Sequence, residues 1–299
     1  MRDVIEHRAG FPVERALRGT AAAARSDVVL ALLEQQGAAV STARRWRLPP
    51  YASKPLVLFS VWLAEDIRSA APEARRQLAK RYSGADLITH MSVHETEILE
   101  DAGISRDRTL PVTFGVNDDY YTPGTGPRDI ELLAVGQDRG RDYRTLFDAV
   151  RGTDLVLTLV CAPANVAGLD VPDNVRMMGL VPLADYRELL RRARVVVVPT
   201  HELAYPTGQS VALEAASTGA CVAVTGTQAM REYFEDGTTA RLVDVGDAEG
   251  WRQLLLELRD DPAQRAALGA SARVAAQTRF SARGMWAEIA ASCVERGLV

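Results

Sequence analysis

Short runs of apolar, mostly β-branched residues alternate along the chain with longer segments in which apolar residues recur at helical spacing. This alternation is typical of strands and helices that follow one another and build parallel sheets. The predicted strands are residues 27–33, 55–61, 85–92, 130–135, 155–161, 175–178, 195–198, 220–225 and a short one within 241–246. The predicted helices are 67–82, 95–102, 143–150, 183–193, 248–260, 262–278 and 281–294, with one more at the apolar positions from residue 211 that follow the 206–210 loop.

The most informative stretch is residues 195–224, where a predicted buried strand leads through a loop into a helix. Val195 to Val198 is a continuous apolar run ended by Pro199, as expected for a parallel strand covered on both faces. The loop that follows lies at the carboxyl end of that strand, where ligands bind in open α/β sheets. This stretch therefore predicts a ligand-binding loop.

The residues of this loop suit a pyrophosphate. Gly208 allows a close backbone approach, Thr207 or Ser210 supplies a hydroxyl, and the first helical turn presents free N–H groups at its positive end. Glu214 falls a little further along the helix, where a carboxylate can accept hydrogen bonds from ribose hydroxyls. A Pro-Thr-Gly turn before a helix is also a common helix entry without any ligand, and this alternative stays open.

Arg141 is the second candidate, because it follows a predicted strand that ends near Gly136. From that loop its guanidinium could reach a diphosphate held at the facing helix end, and bidentate arginine–phosphate contacts are among the stronger hydrogen bonds. An exposed loop arginine without a ligand is the alternative.

Composition indicates a globular protein with two domains. The chain has 299 residues, 47% apolar and 25% charged, and no apolar run approaches the roughly 20 residues of a membrane span. The first residues lack the apolar region of a signal peptide, so we expect a cytoplasmic protein. Cys161, Cys221 and Cys293 are widely spaced, which favours small buried hydrophobic residues over a disulfide or metal framework.

Charge is unevenly distributed along the chain. The net charge is −4, which argues against a general nucleic-acid interface, yet residues 1–54 hold nine basic and five acidic residues. Within them, Arg44-Arg-Trp-Arg47 precedes Leu-Pro-Pro, and this segment could grip an anionic acceptor or lie on an acidic membrane surface. We favour a third interpretation, a solvated loop with Trp46 packed on the domain.

Four landmarks along the chain occur in the order known from one enzyme family: 114–123 (FGVNDDYYTP), 132–136 (LLAVG) with 141–146 (RDYRTL), 174–179 (NVRMMG) and 206–219 (PTGQSVALEAASTG). From about Ala85 to the C-terminus the chain resembles the family-4 nucleotide-sugar glycosyltransferases of the GT-B fold. The resemblance implies two Rossmann-like parallel-sheet domains facing a cleft, the N-terminal one shortened. It implies a reduced acceptor-side domain over 1–122, a nucleotide-sugar-binding domain over 123–280, and a helix over 281–299 that crosses back to the first domain.

The resemblance also assigns roles to residues. Arg141 matches the position of a family lysine, and backbone near Gly179 and Leu180 would contact the nucleotide base. The implied donor-binding residues are Gly136, Arg139, Arg141, Gly179, Leu180, Thr207, Gly208, Gln209, Ser210 and Glu214.

Two departures from the family pattern affect the chemistry. Pro206 stands where the first of the paired glutamates is usual, so Glu202 or His201 could replace it or be only a polar loop residue. In the first domain, Asp66 matches an aspartate of one family variant but could equally serve only to cap a helix.

We therefore expect a hexosyltransferase-type glycosyltransferase that moves a sugar from a nucleoside diphosphate sugar to a hydroxyl acceptor. The family implies retention, no metal and no cofactor beyond this co-substrate, with Arg141, Asp66 and Glu202 as catalytic candidates, in glycan, glycolipid or natural-product biosynthesis. The alternatives are a non-catalytic or partner-dependent nucleotide-binding subunit, and an epimerase or synthase on the same fold. We expect no membrane span, and peripheral membrane contact through the basic N-terminal part of the chain stays open as an alternative.

Overall fold

The computed structural model describes residues 13–299, with side chains from Arg18 onward. Contacts divide the chain into two compact units. Unit 1 comprises the described residues up to Val112 together with Trp286–Val299, and unit 2 comprises Thr113–Met285. The segment from Met1 to Pro12, on which part of the signal-peptide argument rests, lies outside the described residues.

Unit 1 is built on a four-stranded parallel sheet in the order β1-β2-β3-β4. The two central strands are buried along their whole length, which explains their uninterrupted apolar sequence. The strands are β1 (Val29–Leu32), β2 (Leu56–Phe59), β3 (Leu87–His90) and β4 (Thr109–Pro111). The helices are α1 (Val13–Ala23), α2 (Glu34–Arg45), α3 (Leu63–Ser69), α4 (Pro72–Arg81) and α5 (Val93–Asp101).

The single helix predicted over 67–82 is wrong, because the structure has two helices there, α3 and α4. Ala71 is extended, with ψ 148°, since a residue that precedes proline is driven out of the helical region. Pro72 then occupies the first turn of α4, where its missing N–H is tolerated.

The preferred interpretation of the Arg44–Arg47 segment is also wrong. The Trp46 side chain is 69% exposed and does not pack on the domain. Only Arg44 turns inward, where its guanidinium donates to Asp86 and to the carbonyl of Gly84.

Unit 2 contains a six-stranded parallel sheet in the order β10-β9-β8-β5-β6-β7, the doubly wound arrangement predicted for a Rossmann-like domain. The strands are β5 (Ile130–Val135), β6 (Leu157–Val160), β7 (Val175–Met177), β8 (Ala193–Val198), β9 (Cys221–Thr225) and β10 (Arg241–Val243). The helices are α6 (Tyr143–Val150), α7 (Leu183–Arg192), α8 (Gln209–Ser217), α9 (Ala248–Asp260) and α10 (Pro262–Arg279). The last helix, α11 (Ala282–Glu295), begins in unit 2 and ends in unit 1.

The sheet of unit 2 is covered on both faces by separate apolar clusters. Val196 and Val198 point into one cluster, and Val195 and Val197 into the other, which contains the fully buried Trp251. This two-sided burial is why β8 reads as an unbroken run of valines. All three cysteines are buried and free, as predicted.

Helix α8 is fixed at its C-terminal end by a half-buried arginine. The Arg128 guanidinium donates to the carbonyl of Thr218, the residue that caps α8, at 2.7 Å. It also donates to three carbonyls at the end of α7, those of Leu190, Arg191 and Ala193. A guanidinium at these helix ends offsets the partial negative charge of their free carbonyls, while burial lowers its pKa.

Within residues 13–299, no helix has both the length and the apolar content needed to cross a bilayer.

Candidate functional site

Two loops meet at the carboxyl edge of the unit 2 sheet. One follows β5 and the other follows β8, which are neighbouring strands. The N–H of His201 donates to the Gly140 carbonyl at 2.9 Å, and the N–H of Asp142 donates to the Pro199 carbonyl at 3.1 Å. These bonds hold the Arg141 loop against the loop that leads into α8.

Arg141 is buried at this junction, with a side chain only 4% exposed. Its Nε donates to Asp138 Oδ2 at 2.9 Å, whereas its Nη1 is buried and has no hydrogen-bond partner among the described residues. Two glycines make room for the guanidinium. A Cβ on Gly208 would lie 2.6 Å from Nη1, and a Cβ on Gly136 would clash with Nε.

The N-terminus of α8 lies beside this guanidinium. Gly208 adopts a left-handed conformation, φ 85°, at the position that precedes the helix. The first helical hydrogen bond runs from the N–H of Ala212 to the Gly208 carbonyl at 3.1 Å, so the N–H groups of Ser210 and Val211 stand at the open end of the helix. Thr207 and Gln209 are buried and Ser210 is half-buried. The helix N-terminus and the buried, unpartnered guanidinium nitrogen thus form a cluster of hydrogen-bond donors suited to an anion, which we call the α8 site.

Asp138 joins the two loops and was missed by the sequence analysis. Its Oδ1 accepts from the Thr207 hydroxyl at 2.7 Å and from the Gly140 N–H at 2.9 Å, while Oδ2 accepts from Arg141 Nε. The only local signal was its position three residues before Arg141. Its contact with Thr207 spans 69 residues and leaves no pattern in the sequence.

Glu214 points into a group of tyrosines. The Tyr186 hydroxyl donates to Glu214 Oε2 in a short hydrogen bond. Burial raises the pKa of Glu214, and hydrogen bonds from Tyr186 and Tyr121 partly oppose this rise. The pKa of each tyrosine is raised by burial and by the nearby carboxylate. Both tyrosines escaped the sequence analysis, because an aromatic residue in a helix or linker is most often a packing residue.

The backbone that follows β7 has free space around it. Gly179 has φ 70° with no heavy atom within 4 Å of an added Cβ, and the Leu180 side chain is 57% exposed. Arg139 is exposed on the loop after β5. These residues lie at the carboxyl ends of β7 and β5, the same edge of the sheet as Arg141.

Glu202 and His201 lie on the surface of the loop after β8. Both carboxylate oxygens of Glu202 lie 3.2 Å from the N–H of Gln228, which follows β9, so this side chain links two loops. His201 Nδ1 lies 3.7 Å from Asp142 Oδ2.

Asp66 belongs to unit 1, in the first turn of α3, and is half-buried. The N-cap residue of that helix, Trp62, makes no side-chain capping hydrogen bond. The N–H groups of Val61, Trp62 and Leu63 instead donate to Glu34 Oε1 at 2.6, 2.6 and 3.2 Å. The Ser60 hydroxyl donates to the same oxygen at 2.9 Å.

Residues 129–261 match the family described as "Glycosyl transferases group 1". A D-inositol 3-phosphate glycosyltransferase of Thermobispora bispora is 34% identical over 129 residues, 43% of this chain and 28% of that protein. The alignments with curated relatives span between 27% and 60% of those proteins' own lengths.

Two solved structures show the fold. HepE of Anabaena, crystallised with UDP and glucose, superposes with a TM-score of 0.73 at 17% identity, over 95% of this chain and 81% of that one. Sucrose-phosphate synthase from Thermosynechococcus elongatus superposes with a TM-score of 0.74 at 19% identity, over 91% and 73%. Two parallel-sheet Rossmann-like units with these neighbours define the GT-B class of glycosyltransferase folds. The matched segment covers less than half of the chain and contains Arg141 and the start of α8.

Proposed function

We propose that this protein transfers a sugar from a nucleoside diphosphate sugar to a hydroxyl acceptor, with the diphosphate bound in unit 2. One observation carries the proposal. The buried Nη1 of Arg141 has no hydrogen-bond partner among the described residues and lies beside the N-terminus of α8. A buried donor without a partner is costly, and a diphosphate oxygen would satisfy it.

The proposed chemistry is electrostatic. As the glycosidic bond breaks, negative charge grows on the leaving diphosphate, and Arg141 with the N–H groups of Ser210 and Val211 would stabilise it. These donors are held in place before the reaction, so they need little reorganisation. Asp138 would orient Arg141 through Nε and Thr207 through its hydroxyl.

Glu214 would accept the ribose hydroxyls, and the exposed backbone at Gly179 and Leu180 would contact the base. HepE was crystallised with UDP-glucose, which makes uridine the first base to test. The finer expectations, namely retention, metal independence and hexose transfer, stay part of the proposal, as do catalytic contributions from Asp66 and Glu202 and a cytoplasmic location. The relatives' names suggest inositol 3-phosphate as a first acceptor.

The test is calorimetric titration of the protein with UDP, GDP, ADP and TDP, repeated on Arg141→Ala and Glu214→Ala. We expect saturable binding of one diphosphate, weakened by about two orders of magnitude in Arg141→Ala and about tenfold in Glu214→Ala. Arg192→Ala is the matched control, because this arginine is exposed and pairs with Asp129. Absence of binding by the folded protein would overturn the proposal.

A second assay separates an enzyme from a nucleotide-binding subunit. Pro206, in place of the usual glutamate, is the observation that favours a subunit without transfer activity. Release of UDP from UDP-glucose, with and without inositol 3-phosphate, is followed at saturating donor. Diphosphate binding without any turnover over an acceptor panel would favour the subunit.

A further inference from the structure

The surface at one corner of unit 1 combines exposed apolar side chains with cations. We define the Trp46 surface as Arg45, Trp46, Arg47 and Leu48 together with Lys80 and Arg81. Trp46 is 69% exposed and Leu48 is 47% exposed. The Pro49 that follows is exposed as well.

The backbone of this surface is firmly held while its side chains face outward. The N–H of Trp46 donates to the Thr42 carbonyl at 3.0 Å, and the N–H of Leu48 donates to the Ala43 carbonyl at 2.9 Å. Between them, Arg47 adopts a left-handed conformation, φ 54°. These bonds close the C-terminal end of α2 and fix the turn that presents Trp46 and Leu48 to solvent.

The C-terminal end of α4 lies beside this turn and adds positive charge. The Ser41 hydroxyl donates to the Arg81 carbonyl at 2.7 Å, and Arg45 Nη1 donates to the Lys80 carbonyl at 3.4 Å. The first-turn acids of α2 and α4, Glu34 and Glu73, lie at the opposite helix ends.

None of the four cations of the Trp46 surface forms an ion pair with a carboxylate in the part of the chain that the structure describes. Basic residues at helix C-termini are expected from the helix dipole. The dipole does not account for an exposed tryptophan and leucine between two arginines. An exposed aromatic ring among uncompensated cations is instead the composition of a membrane interface.

The position of this surface argues against a small anionic substrate. Arg44 and Asp86 tie the end of α2 to Leu56, the first residue of β2, whose N–H donates to Asp86 at 2.7 Å. The Trp46 surface thus lies at the amino edge of the unit 1 sheet, whereas ligands of open parallel sheets bind at the carboxyl edge.

We propose that the Trp46 surface docks this protein on an anionic phospholipid membrane. The Trp46 ring and Leu48 enter the headgroup region, and the four cations contact lipid phosphates and carboxylates. The Trp46 surface does not include Arg141 or the N-terminus of α8, so this proposal stands independently of the proposed transferase activity.

The experiment is cosedimentation of the full chain with vesicles of phosphatidylcholine alone or mixed with phosphatidylserine. We expect binding only to the mixed vesicles, weakened by added salt because the attraction to the anionic surface is screened. Absence of binding to mixed vesicles would overturn the proposal. Equal binding to both vesicle types would also overturn it, since the cations would then have no role.

Substitutions test which residues of the Trp46 surface contribute to vesicle binding. Removal of two charges in Arg45→Gln/Arg47→Gln should weaken binding roughly thirtyfold, and Trp46→Ala roughly tenfold. Trp46→Phe should retain most binding yet lose the quenching of tryptophan fluorescence by brominated lipids. Leu183→Ala and Arg192→Gln, exposed residues of unit 2, are the matched controls and should bind like the unmodified protein. Unchanged binding by the Trp46 and arginine variants would overturn the assignment.

An acidic protein or a nucleic acid is the competing partner for such a surface. Capture of either by the unmodified protein, without vesicle binding, would replace the membrane as the partner. Arg141→Ala should bind vesicles normally, which separates this result from any failure of diphosphate binding.

Discussion

The β2–α3 junction of unit 1 and the β8–α8 junction of unit 2 have the same construction but opposite electrostatics. In each, a buried parallel strand ends and a helix begins with free N–H groups. In unit 1 the N–H of Leu63, the first helical residue, and those of Val61 and Trp62 just before it donate to the chain's own Glu34 carboxylate. In unit 2 the helix N-terminus instead lies beside a buried cation, Arg141, whose Nη1 has no partner among residues 18–299.

The group that accepts from the helix N-terminus distinguishes a structural helix start from a binding site. An internal carboxylate completes the first junction, so that it contributes to stability and has no need of an external ion. In the second junction Asp138 pairs with Arg141 Nε but leaves Nη1 without a partner beside the helix N-terminus, and an anion from solution would complete it. Sequence cannot make this distinction, because it depends on which distant side chain reaches the helix end.

The largest expected effect is on stability at the unit 1 junction. Glu34→Ala removes the acceptor of three N–H groups and one hydroxyl, and should lower the free energy of unfolding by about 3 kcal/mol. Glu34→Gln keeps one acceptor oxygen and should cost about 1 kcal/mol. Arg141→Met removes an unsatisfied donor but also leaves Asp138 Oδ2 without its partner, and should therefore lower the free energy of unfolding by only about 1–2 kcal/mol. Urea unfolding followed by circular dichroism measures all three.

The same substitutions should affect diphosphate affinity in the reverse order. Glu34→Ala should leave diphosphate affinity unchanged at a temperature where the variant is folded, whereas Arg141→Met should abolish most of it. If Glu34→Ala weakens diphosphate binding as strongly as Arg141→Met does, the contrast between the two junctions is wrong.

Gly208→Ala should lower both the free energy of unfolding and the affinity for a diphosphate. The added Cβ would meet Val198 Cγ1 at 2.5 Å and Arg141 Nη1 at 2.6 Å, in a left-handed conformation. We expect a loss of about 2–3 kcal/mol in unfolding free energy, with weaker diphosphate binding. Gly152→Ala is the control, because it has φ 71° with open space around it and should cost only about 1 kcal/mol. Equal costs at both sites would remove the argument for a close approach at Gly208.

Asp138→Asn tests whether this carboxylate positions Arg141 or only neutralises it. A positioning role predicts diphosphate affinity about tenfold lower, since the amide nitrogen cannot accept from Nε. Simple neutralisation predicts the opposite, tighter binding with a steeper salt dependence. Calorimetry at two ionic strengths distinguishes them, with Asp129→Asn, the partner of Arg192, as the control.

The smallest expected effect is on the pH dependence of diphosphate binding. Burial raises the pKa of Glu214, so the carboxylate should become protonated, and ribose binding weaken, at a higher pH than for an ordinary glutamate. The Tyr186 hydrogen bond opposes that rise. Tyr186→Phe should therefore move the acidic loss of diphosphate affinity to a higher pH. Glu214→Gln removes this group's titration and isolates that of the diphosphate; an unshifted Tyr186→Phe profile would contradict the assignment.

Local sequence predicted much of unit 2. The valine run of β8, the glycine before α8 and the arginine after β5 each follow from neighbouring residues and the geometry of parallel sheets. The structure places them at one edge, as their positions after strands suggested. In unit 1, the break before Pro72 was available from the sequence and was missed, because the helical pattern on either side was given more weight than the residue before proline.

The remaining features depend on contacts between distant residues. Glu34 reaches Trp62 across 28 residues, and Tyr186 reaches Glu214 across the same separation. No known motif fixes the sequence separation of either pair. These contacts can therefore be recognised only in the folded structure. The exposure of Trp46 belongs here too, since a tryptophan is usually expected to pack.

Anchorage of α8 by Arg128 has a consequence for protein engineering. The helix is fixed by its last residues, through a guanidinium outside the loop that precedes its first turn. The exposed side chains of His201 and Glu202 can therefore be varied with less effect on the helix axis than the buried Ala204, Tyr205 and Pro206. A library confined to those two positions should leave the N-terminal end of α8 in place, and it would test whether the proposed choice of sugar depends on this loop.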